Sequence, residues 1–352
     1  MELSERKKQI LKTVIGEYIK TAEPVGSKAL ANRPELPYSS ATIRNEMSEL
    51  EELGFLEKPH TSAGRVPSHK GYRLYVDELM GQPALPPDEI EEINQLTSLK
   101  VKELDKLINE AGKLIAKLTE YTTVAVTPVL QDAVIKKFEI IYVSGTNFVI
   151  VVVMGTGGVK SKLIKTAADV SKDEADLLTY VLNQTLTDIP IQSITAERFD
   201  IVSRAAGLTP LIAPVAEYIA ELIDELGTHK LFLQGASKLL SYPEYSDAHK
   251  AQELLDFISD DKNVASLTPY QTEIDGVKIA IGNENGQGPL SDTSMIYASY
   301  HIGNVGRGII GIVGPTRMDY ASVSARLSLF AKKLNKLIAE TFLDDENEND
   351  TK

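Results

Sequence analysis

Apolar residues recur at three- and four-residue intervals from the start of the chain. Ile10, Leu11, Val14, Ile15, Tyr18 and Ile19 share one helical face, and Ser4 stands where an N-cap belongs. Pro24, Gly26 and Ser27 close the connection to a short second helix, Lys28 to Asn32, which Pro34 and Pro37 break. Ser39 or Ser40 caps a third helix, ended by Gly54. Phe55 to Lys58 predicts a short strand, Pro59 to Gly64 a turn, and Arg65 to Pro67 a return strand. Three helices followed by a hairpin is the order of a winged helix.

Gly81 to Pro87 is Pro-rich and predicts a linker. Asp88 to Tyr121 follows as one long helix or two, with Val101, Leu104, Ile108, Ala111, Ile115 and Leu118 spaced for a seam against another helix. Strands are predicted at Val124–Val126, Lys136–Val143, Asn147–Met154 and Val159–Lys165, separated by the turns Ser144–Asn147 and Gly155–Gly158. Ser171 and Glu174 form a capping box for a helix reaching about Thr187. From 189 to about 265 the pattern is mainly helical, with Pro210 to Leu226 and Asp247 to Ser259 as the strongest segments. Strands return at Val277–Ile281, Met295–Tyr300 and Ile309–Val313, before a last helix with Val323, Leu327, Phe330, Leu334 and Ile338 on one face. Sheet, helical interlude, sheet is the pattern of a domain interrupted by an insertion. Residues 344–352 are polar and acidic and predict a disordered tail. No internal repeat is visible.

The chain has 352 residues, which favours two or three domains, and no cysteine, which excludes disulfides and thiolate metal sites. The N-terminus lacks an apolar signal segment, and the tightest apolar run, Phe148 to Met154, is too short to span a bilayer. A soluble cytoplasmic protein is expected. The net charge of -13 argues against nucleic acid, but its distribution changes that picture. Residues 1–80 carry 12 basic and 12 acidic side chains, so the deficit lies entirely beyond them. Five glutamates lie between Glu46 and Glu57. Lys58 to Val76 holds no acid but has Lys58, Arg65, Lys70, Arg73 and two histidines. A neutral domain with its cations on one face can bind DNA.

The third helix carries candidate chemistry. Ile43, Met47 and Leu50 cluster on one side; Ala41, Thr42, Asn45, Ser48 and Glu49 point the other way. Short polar side chains and Asn suit base edges in the major groove, and Arg44, beside them, suits a phosphate or a guanine. An ordinary surface helix can carry the same pattern. In the hairpin His60-Thr61-Ser62-Ala63-Gly64-Arg65-Val66-Pro67, small residues permit close approach to a phosphate backbone, and hydroxyls and Arg are common phosphate contacts. A plain surface hairpin is the competing reading. His60 and His69 lack a third ligand at metal-site spacing, so no metal is expected. Neither a G-x-x-x-x-G-K-[ST] loop nor a G-x-S-x-G elbow is present, so no enzyme and no cofactor are expected.

Pro59–Pro67 followed by Lys70-Gly71-Tyr72-Arg73 and Tyr75-Val76-Asp77 closely resembles the heat-inducible transcription repressor family, HrcA. So do Glu23-Pro24-Val25-Gly26-Ser27, Ser40 to Met47, Leu231-Phe232-Leu233 with Gly235, and Gly311 to Tyr320. Val66 and Ser68 are mild variants of an expected Ile and Thr. The resemblance implies a homodimer that binds an inverted-repeat operator, the CIRCE element, ahead of chaperone operons, kept competent by the GroEL chaperonin. It implies an α+β fold: a winged helix-turn-helix, then a GAF-like α/β domain interrupted by an inserted, mainly helical dimerisation domain. The expected boundaries are 1–80 for the winged helix, 81–87 for the linker, 88–188 and 266–343 for the two GAF-like parts, and 189–265 for the insertion. The expected DNA-binding residues are Ser39, Ser40, Thr42, Arg44, Asn45 and Ser48 on the helix. On the wing and its flank they are His60, Thr61, Ser62, Gly64, Arg65, Lys70 and Arg73. The rival reading is a regulator sensing a metabolite through the GAF-like domain, with Tyr297, Tyr300 and Tyr320 as possible pocket walls or, more simply, core.

Overall fold

Three serines cap helices of the first domain. In the computed structural model Ser4 caps α1 (Glu5–Thr21), Ser39 caps α3 (Ser40–Glu52) and Ser68 caps α4 (His69–Leu74), each accepting a backbone N–H of the first turn. Between α1 and α3 lies the short α2 (Ser27–Leu30). The structure describes residues 3–60, 63–96, 104–130, 132–155, 158–207, 209–260, 263–264, 276–286, 288–302 and 306–342. Thr61, Ser62, Val101, the middle of the Gly155–Gly158 turn and the acidic tail therefore lie outside the described residues.

Ile10, Leu11, Val14 and Ile15 of α1 meet Ile43, Met47 and Leu50 of α3 in a buried core. Gly54, at φ +78°, turns the chain out of α3, a conformation that glycine adopts without a Cβ clash. β1 (Leu56–Glu57) and β2 (Val66–Pro67) then form the hairpin. Arg65 extends it by pairing its backbone with Val25, at 2.9 Å in both directions. These parts make a winged helix-turn-helix. A π-helical turn, Tyr75–Leu79, ends it, and Gly81 to Pro86 is an irregular connection.

α5 (Pro87–Gln95) and α6 (Leu104–Thr119) precede a five-stranded antiparallel sheet. Its strands are β3 (Thr122–Val126), β7 (Leu231–Gln234), β8 (Val277–Ile281), β9 (Thr293–Ile302) and β10 (Gly306–Pro315), in the order β7-β3-β10-β9-β8. Successive residues face opposite sides. Ala125, Ile296, Ala298, Ile310 and Ile312 pack beneath α6 and the last helix, α11 (Tyr320–Phe342). Val124, Val126, Met295 and Val313 pack on the other side with α10 (Ala248–Ser259).

Between β3 and β7 the chain makes an excursion of its own. β4 (Ile135–Ser144), β5 (Asn147–Met154) and β6 (Val159–Lys165) form a separate three-stranded sheet, β4-β5-β6. α7 (Lys172–Leu186) covers it, opened by the predicted Ser171–Glu174 capping box. Asn183 of α7 accepts from Phe138 N at 2.9 Å and donates to Phe138 O at 2.8 Å, satisfying part of the β4 edge. α8 (Ala196–Ala206) packs on α7, and α9 (Ile212–Gly227) crosses β6, where Lys160 and Lys162 meet Glu225 and Glu221 at 3.1 and 2.5 Å.

This topology differs from the expected insertion at 189–265. The excursion runs from 127 to 230 and carries its own sheet. Leu231–Gln234 pairs with β3, and α10 packs on the five-stranded sheet, so both belong with the sheet domain. The partner of β3 on that side, β7, lies more than a hundred residues further along the chain.

Candidate nucleic-acid interface

The buried face of α3 fixes what its other face presents. With Ile43, Met47 and Leu50 inward, Ala41, Arg44, Asn45 and Glu49 are exposed, and Thr42 and Ser48 are partly so. Ser39 caps the helix through Thr42 N at 3.1 Å, and its Oγ also lies 2.9 Å from Thr42 Oγ1. Ser40 Oγ lies 3.2 Å from Ser27 Oγ and ties α3 to α2. Ser39, Thr42, Arg44, Asn45 and Ser48 thus share an accessible surface. Among the described residues, Arg44, Lys28 on α2 and Lys58 after β1 are exposed cations with no ion-pair partner.

The angle at which α3 is held depends on a residue that the pattern did not single out. Glu46 is 4% exposed, on the packed side, and meets Arg6 at 2.5 Å and Lys7 at 2.8 Å. Lys7 also reaches Glu49 at 2.8 Å. Burial alone would raise the Glu46 carboxyl; Lys7 and Arg6 outweigh it and hold it below the ordinary range. The hydrogen bonds to Glu46 and Glu49 in turn raise Lys7. A depressed carboxylate stabilises the fold above its unfolded pKa, and that contribution disappears as pH falls through the folded value. Glu46→Gln should therefore destabilise the protein at neutral pH by about 1–2 kcal/mol, less than a fully buried pair because Arg6 is half exposed. The difference from wild type should shrink on acidification below about pH 4, as read from denaturation midpoints against pH.

The wing residues are placed differently from one another. His60 is exposed at the tip, its carbonyl accepting from Ala63 N at 2.9 Å. Gly64, expected to approach phosphate, instead lets the wing approach its own domain: a Cβ there would stand 2.4 Å from Val25 O. Arg65, expected on phosphate, is 17% exposed and bound to Glu51 at 2.6 Å, fastening the wing to α3. Lys70 donates to Leu53 O at 2.8 Å and lies over the Phe55 ring, closing the C-terminal end of α3. Arg73 faces away from the wing, onto Glu284, Asp77 and Ile279 O. The structure therefore leaves the helix residues and His60 fully or partly exposed and sets Gly64, Arg65, Lys70 and Arg73 in contacts within the protein.

Tyr300 and Tyr320 are fully buried, with hydroxyls bonded to Val126 O and beside Ser294 Oγ, so they are core. A cavity of about 90 Å³ lies where α9 and β6 meet the sheet domain, walled by Leu104, Leu130, Met154, Leu226 and Ile302. Its charged rim is closed on itself: Lys230 pairs with Asp105 and Glu225, and Lys160 with Glu225. That volume is well below the roughly 300–1,000 Å³ of pockets for drug-sized ligands. Among the described residues no cluster of His, Asp or Glu is arranged to hold a metal, and no helix is long and apolar enough to cross a membrane.

The winged helix-turn-helix DNA-binding model of the HrcA transcription repressors matches residues 2–78, and the HrcA C-terminal domain model matches residues 105–323. The chain belongs to the HrcA family. A heat-inducible transcription repressor HrcA from Ruminiclostridium cellulolyticum is 37% identical over 341 residues, covering 96% of this chain and 98% of the relative. One from Acetivibrio thermocellus is 36% identical over 338 residues, covering 96% of each. A crystal structure of a hypothetical protein shares the fold, with a TM-score of 0.66 and 24% identity over 96% of this chain and 98% of that one. The α3 face and the wing thus sit in the DNA-binding domain of an HrcA repressor. Residues that pattern reading passed over are Lys28 and Lys58, exposed on α2 and just after β1, two elements that contact α3, and Glu46, which ties α3 to α1. Lys58 was visible as the start of the acid-free stretch; nothing local marked the other two.

Proposed function

We propose that this HrcA-family chain represses chaperone operons by binding, as a homodimer, an inverted-repeat operator of the CIRCE type. The observation that carries the reading is the α3 face: Thr42, Arg44, Asn45 and Ser48 are accessible and short enough for base edges apart from Arg44, and the exposed, unpaired Lys28 and Lys58 sit on or next to elements that contact α3. Asn45 reads a base, Arg44 meets a guanine or a phosphate, and Ser39, Ser40, Lys28, Lys58 and His60 position the duplex. An inverted repeat demands two-fold symmetry in the protein. The outward face of β4-β5-β6 supports a pairing surface, with Ile141, Val149 and Leu163 in one row and Val153 and Val159 in another. The HrcA identity supports stress control, and the long-range pairing of β3 with β7 and β10 supports dependence on the GroEL chaperonin, because such topologies fold slowly and expose apolar strands meanwhile.

The deciding experiment is a footprint of the purified protein on its own chaperone promoter, with protein refolded in the presence or absence of chaperonin and ATP. A symmetric protected site, with more active protein in the chaperonin arm, is expected. No protection at any inverted repeat overturns the operator; equal yields at heat-shock temperatures overturn the chaperonin dependence alone. Salt dependence sorts the cations. Arg44→Ala should lower the slope of log affinity against log salt by about 0.9, one phosphate's worth, whereas Arg65→Ala, whose charge already faces Glu51, should leave it nearly unchanged.

A further inference from the structure

The winged helix is joined to the sheet domain by six irregular, mostly exposed residues, Gly81 to Pro86, yet it does not hang from them. The side of the winged helix remote from the α3 face is clamped at three points. Arg73 of α4 donates to Glu284 through two nitrogens, one at 2.8 Å, and to Ile279 O at 2.8 Å, bridging to the turn after β8. The His69 ring lies on Gly282 so closely that a Cβ there would stand 2.4 Å from it. Arg317, just after β10, donates to Ile19 O of α1 at 3.2 Å while Glu244 holds its guanidinium at 2.5 Å. Tyr72 and Tyr320 fill the space between, ring centroids 5.7 Å apart. The clamp leaves Ala41, Arg44 and Asn45 exposed, so it mounts the DNA-reading face and does not cover it.

We propose that Arg73, Glu284 and Arg317 are positioning residues that hold each winged helix in one orientation on the sheet domain, so that the dimer measures the spacing between operator half-sites. The inference rests on the dimeric, inverted-repeat reading above. Linked heads raise each other's effective concentration only where both reach their sites together. One inserted base pair rotates the second half-site by roughly 35° and shifts it by about 3.4 Å. A clamped head cannot follow that displacement. A head released onto a six-residue connection, up to about 20 Å when extended, can. Arg73 and Arg317 thereby determine which spacing is accepted without touching a base.

The test measures the affinity of full-length protein for inverted repeats whose spacer is lengthened or shortened by one to three base pairs, and for a single half-site. Wild type should lose about 10-fold or more in affinity on a change of one or two base pairs. Glu284→Ala lies in the sheet domain, at a side chain 41% exposed, and leaves every cation of the DNA-binding domain in place. It should flatten the spacing profile and weaken the native spacing by about 10-fold, with half-site affinity unchanged. Arg317→Lys should flatten it in the same direction. A steep profile persisting in folded, dimeric Glu284→Ala and Arg317→Lys overturns the proposal. So does a gain by Glu284→Ala on all DNA, which would make Arg73 a phosphate contact that Glu284 masks. A flat profile in wild type that still binds the inverted repeat far more tightly than the half-site overturns the proposal, whereas equal affinity for inverted repeat and half-site overturns the two-fold operator reading itself.

Discussion

Val151→Asp should turn the protein into a monomer and weaken operator binding by about 10²- to 10⁴-fold, the range lost when two linked binding modules become independent. Val151 stands at the centre of the outward face of β4-β5-β6, opposite Glu139 on one side and Ser161 on the other. Above it run Ile141, Val149 and Leu163; below it run Val153 and Val159. Ile141, Leu163 and Val159 are about half exposed in the single chain. An apolar face of this kind on an antiparallel sheet is unusual unless something covers it. A carboxylate at its centre would be buried without a partner in a symmetric dimer, twice, at the two-fold axis. In the monomer the same side chain is partly solvated, so folding should change by no more than about 1 kcal/mol. Sedimentation velocity reads the association and thermal melting reads the fold. A folded variant that remains dimeric places the interface elsewhere.

Local structure was legible in the sequence wherever local chemistry decides it. Asn147–Met154 and Val159–Lys165 are strands with the predicted ends, and Ser171–Glu174 makes the predicted box. The α3 face was readable because Ile43, Met47 and Leu50 repeat with helical spacing. What could not be read depends on partners distant along the chain. β7 completes the five-stranded sheet by pairing with β3, so a strand in a helical stretch belongs to a sheet begun a hundred residues earlier. Arg73 lies in an acid-free stretch that suggests phosphate, but its partner is Glu284, 211 residues on. Arg65 had its partner nearer, in Glu51, but only folding brings the wing back over α3. Helical periodicity marks apolar positions and says nothing of Glu46. It does not foresee a carboxylate buried under two cations from α1.

Asn45→Ala should abolish discrimination at one base pair in each half-site while leaving binding to unrelated DNA unchanged. Asn45 is exposed on α3, nearly two turns from the Ser39 cap, on the same surface as Thr42 and Ser48. Its carboxamide carries one acceptor and two donors, the complement of adenine N6 and N7 in the major groove, and a bidentate pair of this kind is worth about 1–3 kcal/mol against the wrong base. Because a symmetric dimer presents two copies, the loss should appear at two symmetry-related positions, so the full operator weakens by about 2–6 kcal/mol. The substitution removes no charge, so the non-specific, phosphate-dominated term and its salt slope should stay as they are. It also favours the helix, alanine being the better helix former by a few tenths of a kcal/mol, so a loss of binding cannot be assigned to unfolding. The measurement is a competition series in which each operator position is replaced in turn, with wild type and variant compared at one salt concentration. A variant that loses affinity equally on operator and random duplexes makes Asn45 a backbone contact. One that keeps the full position-by-position profile removes it from the interface and leaves the reading to Arg44, Thr42 and Ser48.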